Sequence, residues 1–120
     1  PTMLDQVATD SELFRSEVFG PVLSWHVVAD ADEAVDLAND QDYGLAATLF
    51  GRDAERTQQV ADRLVAGTVW VNCYYVRELA APFGGSRNSG IGREGGNWSF
   101  DFFCDVKNVA VQHDSFTEGN

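Results

Sequence analysis

The sequence predicts an α/β fold in which parallel strands are joined by crossover helices. Between residues 22 and 71, short apolar runs of strand length alternate with stretches whose apolar residues recur at helical spacing. Each of the two longer helical stretches is preceded by an acid placed to cap it, Asp30 and Asp53. After the last apolar run, six glycines fall within thirteen residues, Gly84 to Gly96, the mark of a strand that opens onto a shaped loop.

Taken in order, Met3 to Val7 reads as a short strand. Ser11 to Ser16 reads as a helical turn, with Ser11 able to cap it and Glu12 at its positive end. Gly20-Pro21 breaks any helix. Leu23, Trp25 and Val27 then alternate with Ser24, His26 and Val28, the pattern of a half-buried strand. On the second face of that strand His26 reads as a solvated or internally satisfied histidine. Asp30 and Glu33 resemble a capping box, followed by a stripe of Ala31, Ala34, Val35 and Ala38 widened by Leu37, so a helix should end near Asn39-Asp40. Its acids Asp32, Glu33 and Asp36 read as solvated surface. Tyr43-Gly44 turns the chain into a buried strand, Leu45 to Phe50. Asp53 caps a helix whose inner face is Ala54, Thr57, Val60, Ala61 and Leu64, with Gly67 expected as its terminating C′ residue. Thr68 to Val71 is the next strand. Trp98 to Phe103 predicts a short helix packed by its aromatics, and Asp105 to Gln112 alternates well enough for a strand, which needs a partner for its edge. Residues 113–120 read as a flexible, polar tail.

A chain of 120 residues is one domain or a piece of one, and a complete domain of this size buries roughly 65% of the surface its unfolded chain exposes. Its beginning, PTMLDQV, has neither an initiator Met nor a leader pattern and reads as an entry into a longer polypeptide. No apolar run approaches the roughly 20 residues that span a bilayer, so a soluble, cytoplasmic protein without a membrane partner is expected. The net charge of -11 disfavours nucleic acid, whose phosphates reward clustered Lys and Arg. Cys73 and Cys104 have no CxxC spacing, and neither His26 nor His113 completes a ligand set with them, so no metal site is expected. Hydrophobic content of 44%, with three Trp and eight Phe, is too rich for disorder, and in a fragment would leave apolar surface exposed where its partner belongs.

Gly90, Gly92 and Gly95 match G-x-G-x-x-G, and Asp114 lies at about the distance of a ribose-binding acid. That fingerprint needs a strand directly before it, whereas GGSRNS is loop, so glycines that shape a loop and let backbones pack are the favoured reading. Cys73 follows a strand, but a thiolate nucleophile wants an electropositive setting, and its one nearby cation, Arg77, stands next to Glu78. A structural or pocket-lining thiol is favoured there, and Cys104 reads as a core residue. Arg77 itself has two readings: a surface residue paired with Glu78 or solvent, or a guanidinium in a cleft holding a carboxylate through two parallel hydrogen bonds.

The segments E-V-F-G-P-V (Glu17 to Val22), Y-G-L (Tyr43 to Leu45), G-T-V-W-V-N (Gly67 to Asn72) and P-F-G-G-S-R-N-S-G-I-G-R-E (Pro82 to Glu94), in this order and spacing, resemble the C-terminal part of the NAD(P)-dependent aldehyde dehydrogenase superfamily. The stretch VRELAAPFGGSRNSGIGREGGNWSFDFF is most similar to the dehydrogenases of hydroxymuconate and carboxymethyl-hydroxymuconate semialdehydes. The resemblance implies that residues 1–104 are the C-terminal part of a catalytic domain and residues 105–112 an oligomerisation strand, in a homodimer or homotetramer. It implies oxidation of an aldehyde to the acid through a cysteine thiohemiacetal, with NAD, or NADP, as cofactor. The nucleophilic cysteine and the general-base glutamate would lie in the rest of the chain, so these residues alone are expected to be inactive.

By the same resemblance, Glu17 matches the glutamate that binds the nicotinamide ribose hydroxyls and Phe19 the aromatic beside the nicotinamide ring. Phe83 matches a wall of the substrate tunnel, and Tyr75 and Arg77 fall on positions lining its mouth or base. Arg77 looks suited to grip the distal carboxylate of a semialdehyde acid. Glu94 matches a glutamate near a proton path, although an ion pair with Arg93 or Lys107 is an equal alternative. Glu17 and Phe19 are thus expected to share one cavity with Arg77 and Phe83. Two rivals remain: a non-catalytic interaction module of the same fold, and a betaine-type or CoA-acylating dehydrogenase.

Overall fold

The computed structural model describes residues 1–113; Asp114 and most of the expected tail lie outside them. Four short strands, β1 (Thr2–Asp5), β2 (Val22–Trp25), β3 (Ala46–Leu49) and β4 (Thr68–Val71), alternate with helices α1 (Glu12–Arg15), α2 (Ala31–Asn39) and α3 (Ala54–Arg63), and α4 (Gly96–Phe103) closes the order. Both strand pairs are parallel, β1 with β2 and β3 with β4, in registers that set Thr2 opposite Val22 and Ala46 opposite Thr68. Parallel neighbours cannot be joined by a tight hairpin, which is why α1 and α3 lie within the two crossovers. The single layer suggested by the rhythm is in fact two separate two-stranded sheets, with α2 on the connection between them.

The capping acids act as expected. Asp30 accepts from the backbone N–H groups of Asp32 and Glu33, and Asp53 from that of Arg56. Glu33 reaches back one residue beyond the cap, accepting from Ala29 N–H at 2.6 Å. Among the described residues Val35 on α2, 3% exposed, and Trp70 on β4 are the buried apolar core, and Thr57 of α3 is buried as well. Asp32 is not merely solvated, since Arg63 of α3 donates to it at 2.5 Å and ties the two helices.

Several expectations fail for identifiable reasons. Gly67 does not terminate α3, which ends at Arg63 with Leu64 in an extended conformation. It lies three residues further on because a Cβ there would sit 1.6 Å from the Gly84 carbonyl oxygen, so glycine is required by backbone-to-backbone approach. On β2 the apolar face is the uncovered one: Leu23 is 61% exposed, and Trp25 and Val27 are exposed with it. Leu45 and Phe50 flank β3 and are likewise exposed. His26 is neither solvated nor satisfied at Nε2, which is buried without a hydrogen-bond partner, while its ring packs edge-on against Phe14. Cys104 is an exposed thiol following α4, not a core residue. Residues 105–112 are not in a strand within the single chain, which offers their backbone no ladder, and Val106, Val109 and Val111 stand exposed; the partner expected for that strand is a neighbouring subunit. No helix among the described residues is long and apolar enough to cross a membrane.

Candidate functional site

The glycine-rich loop is held from three sides. Gly44 O accepts from both Gly67 N–H (3.0 Å) and Ser86 N–H (2.8 Å), while Ser89 Oγ accepts from Gly44 N–H (2.9 Å). The Tyr43–Leu45 turn, the start of β4 and the loop therefore meet at one point, although they are far apart in sequence. Phe83 and Glu94 exchange both backbone hydrogen bonds at 2.8 Å, closing the loop at its base. Arg93 spans the inside, donating to the carbonyls of Gly85 (2.6 Å) and Gly92 (2.7 Å). Arg87 leaves the loop to donate to Asn39 O and Gln41 O, where α2 runs out of internal partners for its last carbonyls. Gly92 has φ +75, and a Cβ there would lie 2.2 Å from the Phe102 ring. The residues before Gly90 form a 3-10 turn, Arg87–Ser89, rather than a strand, so Gly90, Gly92 and Gly95 shape a packed loop and not a dinucleotide cradle.

The connection after β4 is tethered too. Asn72, at φ +54, donates from Nδ2 to Gly51 O (2.9 Å) and accepts at Oδ1 from Gly51 N–H (2.8 Å), locking the ends of β3 and β4 together. The indole N–H of Trp70 donates to Val76 O at 2.8 Å. A buried ring thus anchors the backbone next to Arg77. Asn72, Trp70, Arg87 and Arg93 were not singled out as site residues, and the one sequence signal for them is an Asn directly after a strand, a residue type that tolerates positive φ.

Arg77 comes to rest over the Phe83 ring, its Cζ 4.6 Å from the centroid, and donates from Nη2 to Glu94 Oε1 at 2.9 Å. Neither suggested pairing forms: Arg77 is not bonded to Glu78, nor Glu94 to Arg93 or Lys107. Arg77, Phe83 and Glu94 make one cluster, with Arg77 and Glu94 side chains 41% and 55% exposed. Tyr75, at φ +55, stands 6.0 Å from the ring of Trp70 and is exposed. Cys73 is a free, half-buried thiol in the same connection.

Glu17 and Phe19 lie elsewhere, on the segment between α1 and β2. They line an open cavity of about 840 Å³ between β2 and β3. Phe83 and Glu94 line a second cavity of about 320 Å³; the two share Leu45 and Ser89 but not the predicted residues. The single cavity expected for Glu17, Phe19, Arg77 and Phe83 does not form: Glu17 and Phe19 line one cavity and Phe83 an adjoining one, while Arg77 and Tyr75 line neither, Arg77 lying half-exposed over the Phe83 ring. The physical reason is that Glu17 and Phe19 lie on the connection leading into β2, Arg77 and Phe83 on the connection leaving β4, and β2 and β4 belong to different sheets. Among the described residues the Glu17 carboxylate makes no hydrogen bond or ion pair and Phe19 is 96% exposed, so both are free to meet a ligand. An acceptor-only carboxylate and an open ring face suit a hydroxylated sugar and a flat heterocycle.

The segment carrying Glu17 is fixed by Arg15. Its guanidinium donates to Asp40 Oδ1 (2.9 Å) and Oδ2 (2.7 Å), to Asp40 O (2.8 Å) and, through Nε, to Thr9 O (2.6 Å). The hydrogen bond from Arg15 holds the Asp40 carboxyl below its ordinary pKa, against a smaller opposing effect of burial, and Asp40 raises that of Arg15.

The sequence profile of the aldehyde dehydrogenase family matches residues 1–109. A 2-aminomuconic semialdehyde dehydrogenase from Danio rerio is 47% identical over 113 residues, which are 94% of this chain and 23% of that protein. A chloroplastic betaine aldehyde dehydrogenase from Beta vulgaris is 43% identical over 91% of this chain and 22% of its own length. Among solved structures, the NAD+ complex of an aldehyde dehydrogenase from Bacillus cereus superposes with a TM-score of 0.87 at 40% identity, covering 95% of this chain and 23% of that one. The chain thus spans less than a quarter of the length of these relatives.

Proposed function

The chain belongs to the aldehyde dehydrogenase family, and we propose that it is the C-terminal part of the catalytic domain of an enzyme oxidising a carboxylate-bearing semialdehyde with NAD. In this reading residues 1–104 supply one side of the cofactor and substrate pockets, and residues 105–112 pair with a neighbouring subunit. The observation that carries it is Arg77: a half-exposed guanidinium over the Phe83 ring, on a backbone that Trp70 anchors. Five N–H donors in a planar fork match a carboxylate, and one bond to Glu94 leaves the others open.

The uncommitted Glu17 would accept from the hydroxyls of the nicotinamide ribose, and Phe19 would lie beside the ring. Nicotinamide, when bound, supplies the hydride acceptor. Tyr75 and Phe83 would line the path of the aldehyde, while the nucleophile belongs to the rest of the protein. The NAD+ complex of the Bacillus cereus relative and the semialdehyde named for the zebrafish relative support the reading. The likeness to a betaine aldehyde dehydrogenase favours a second one, a cationic substrate. Arg77 opposes it, since like charges would meet beside Phe83.

The test is Arg77→Ala in the full-length enzyme. A charge-assisted hydrogen bond is worth about 1.5 to 3 kcal/mol, so KM for succinic semialdehyde should rise about tenfold or more while KM for butanal moves less than about twofold. Equal changes for the two aldehydes would take Arg77 out of the substrate site.

A further inference from the structure

We infer that Glu94 is a built-in competitor for the carboxylate site of Arg77 and sets how strongly the pocket prefers acidic over neutral aldehydes. The inference rests on the reading that Arg77 receives the substrate's carboxylate. Glu94 is not a chance surface partner: both its backbone groups are bonded to Phe83, at 2.8 Å, and Phe83 is the ring on which the guanidinium lies. The same two-residue bridge therefore fixes the cation and the acid that occupies it. The contact is a single bond, Nη2 to Oε1 at 2.9 Å, rather than the two-point grip of Arg15 on Asp40 in the same molecule. A one-point contact leaves room for a second carboxylate on the fork, but that anion arrives beside an existing negative charge.

Two consequences follow. An incoming carboxylate must displace Glu94 or share Arg77 with it, and either cost lowers affinity for acidic substrates alone. Neutral aldehydes, which need nothing from Arg77, are indifferent to the pair. Ion pairs as exposed as this one change an equilibrium by no more than about fivefold, which makes Glu94 a modulator and not a block. The spacing Arg77…Phe83…Glu94 is thus a specificity device in which the attracting charge is deliberately half-neutralised, keeping neutral aldehydes as usable substrates.

The experiment compares succinic semialdehyde with butanal, two aldehydes of equal length that differ by the carboxylate, in the full-length enzyme. Glu94→Gln keeps the hydrogen-bonding shape and removes the charge. It should raise the ratio of KM for butanal to KM for succinic semialdehyde about two- to fivefold, and the rise should vanish when Arg77→Ala is present as well. Using the ratio cancels any effect of Glu94 common to both substrates. Glu94→Asp, one methylene shorter, should move the ratio in the same direction by less, and serves if the Gln variant does not fold. An unchanged or lowered ratio, with Arg77→Ala still discriminating between the aldehydes, overturns the competitor role and leaves the substrate reading standing. A ratio that rises equally with and without Arg77 also overturns it, since Glu94 would then act directly on substrate. If Arg77→Ala itself fails to discriminate, the substrate reading falls and this inference with it.

Discussion

Glu17 and Glu94 are both exposed carboxylates within the quoted motifs, yet the structure gives them opposite circumstances. Glu94 is committed to Arg77, whereas Glu17 has no partner among the described residues and faces an open cavity beside Phe19. An acid left free in a chain of net charge -11 adds to self-repulsion without returning a contact within the described residues, and the proposed cofactor role would give Glu17 the partner it lacks. Glu17→Gln in the full-length enzyme should therefore weaken NAD binding about tenfold, the worth of charge-assisted hydrogen bonds to a hydroxyl pair, as read by fluorescence titration. The melting temperature should stay within about 2 °C, because no intramolecular bond is removed. Undiminished NAD affinity would remove Glu17 from the cofactor site. Nothing but resemblance distinguished these two acids in the sequence: a lone carboxylate has no periodicity, and which one finds an arginine depends on contacts seventeen residues away.

The elements that could be read from the chain were those stabilised within themselves. The caps Asp30 and Asp53, the stripe of Ala31, Ala34 and Val35, and the strand Thr68–Val71 all appear where local rules put them, because capping and helical spacing are decided within a few residues. Elements whose boundaries depend on another segment were missed or misread. Gly67 obeys the Gly84 carbonyl rather than α3. The Arg15–Asp40 clasp belongs to this second kind, joining α1 to the end of α2 across 25 residues and fixing the start of the segment that bears Glu17. Its pH dependence has a definite sign. Asp40's folded pKa is depressed, so the clasp contributes fully above the ordinary carboxylate value of about 3.9 and is lost as pH falls through the lower, folded one. Asp40→Asn should accordingly be less stable than the parent at neutral pH, and the gap should close as the solution is acidified below about pH 4. The pair is solvent-exposed, so the difference is small. A gap in melting temperature that persists unchanged into acid would mean that the ion pair is not its source.

The molecule as a whole has far too little interior for its composition. Among the described residues Val35 and Trp70 are the buried apolar core, while Phe19, Val27, Leu79, Ile91, Phe103 and Val106 are each more than two-thirds exposed. A compact monomer of 120 residues exposes roughly 6,400 Å², and this chain exposes 9738 Å². Its radius of gyration is 22.3 Å, against about 14 Å for a compact chain of this length. The apolar surplus visible in the sequence was the warning; where it would emerge was not, because that depends on two sheets standing apart with an 840 Å³ cavity between them. Two-stranded sheets are marginal in isolation, and neither here pairs an edge with the other. The relatives are more than four times longer than the matched region, which gives those faces and edges something to pack against in the intact protein. The 120 residues expressed alone should then associate, bind a dye that reports exposed apolar surface, and show no NAD-dependent turnover, whereas the full-length protein should bind the dye weakly. Light scattering and dye fluorescence at matched concentrations decide it. A monodisperse, dye-silent monomer would show that these faces close on one another, and the two adjoining cavities would then have to be redrawn as one.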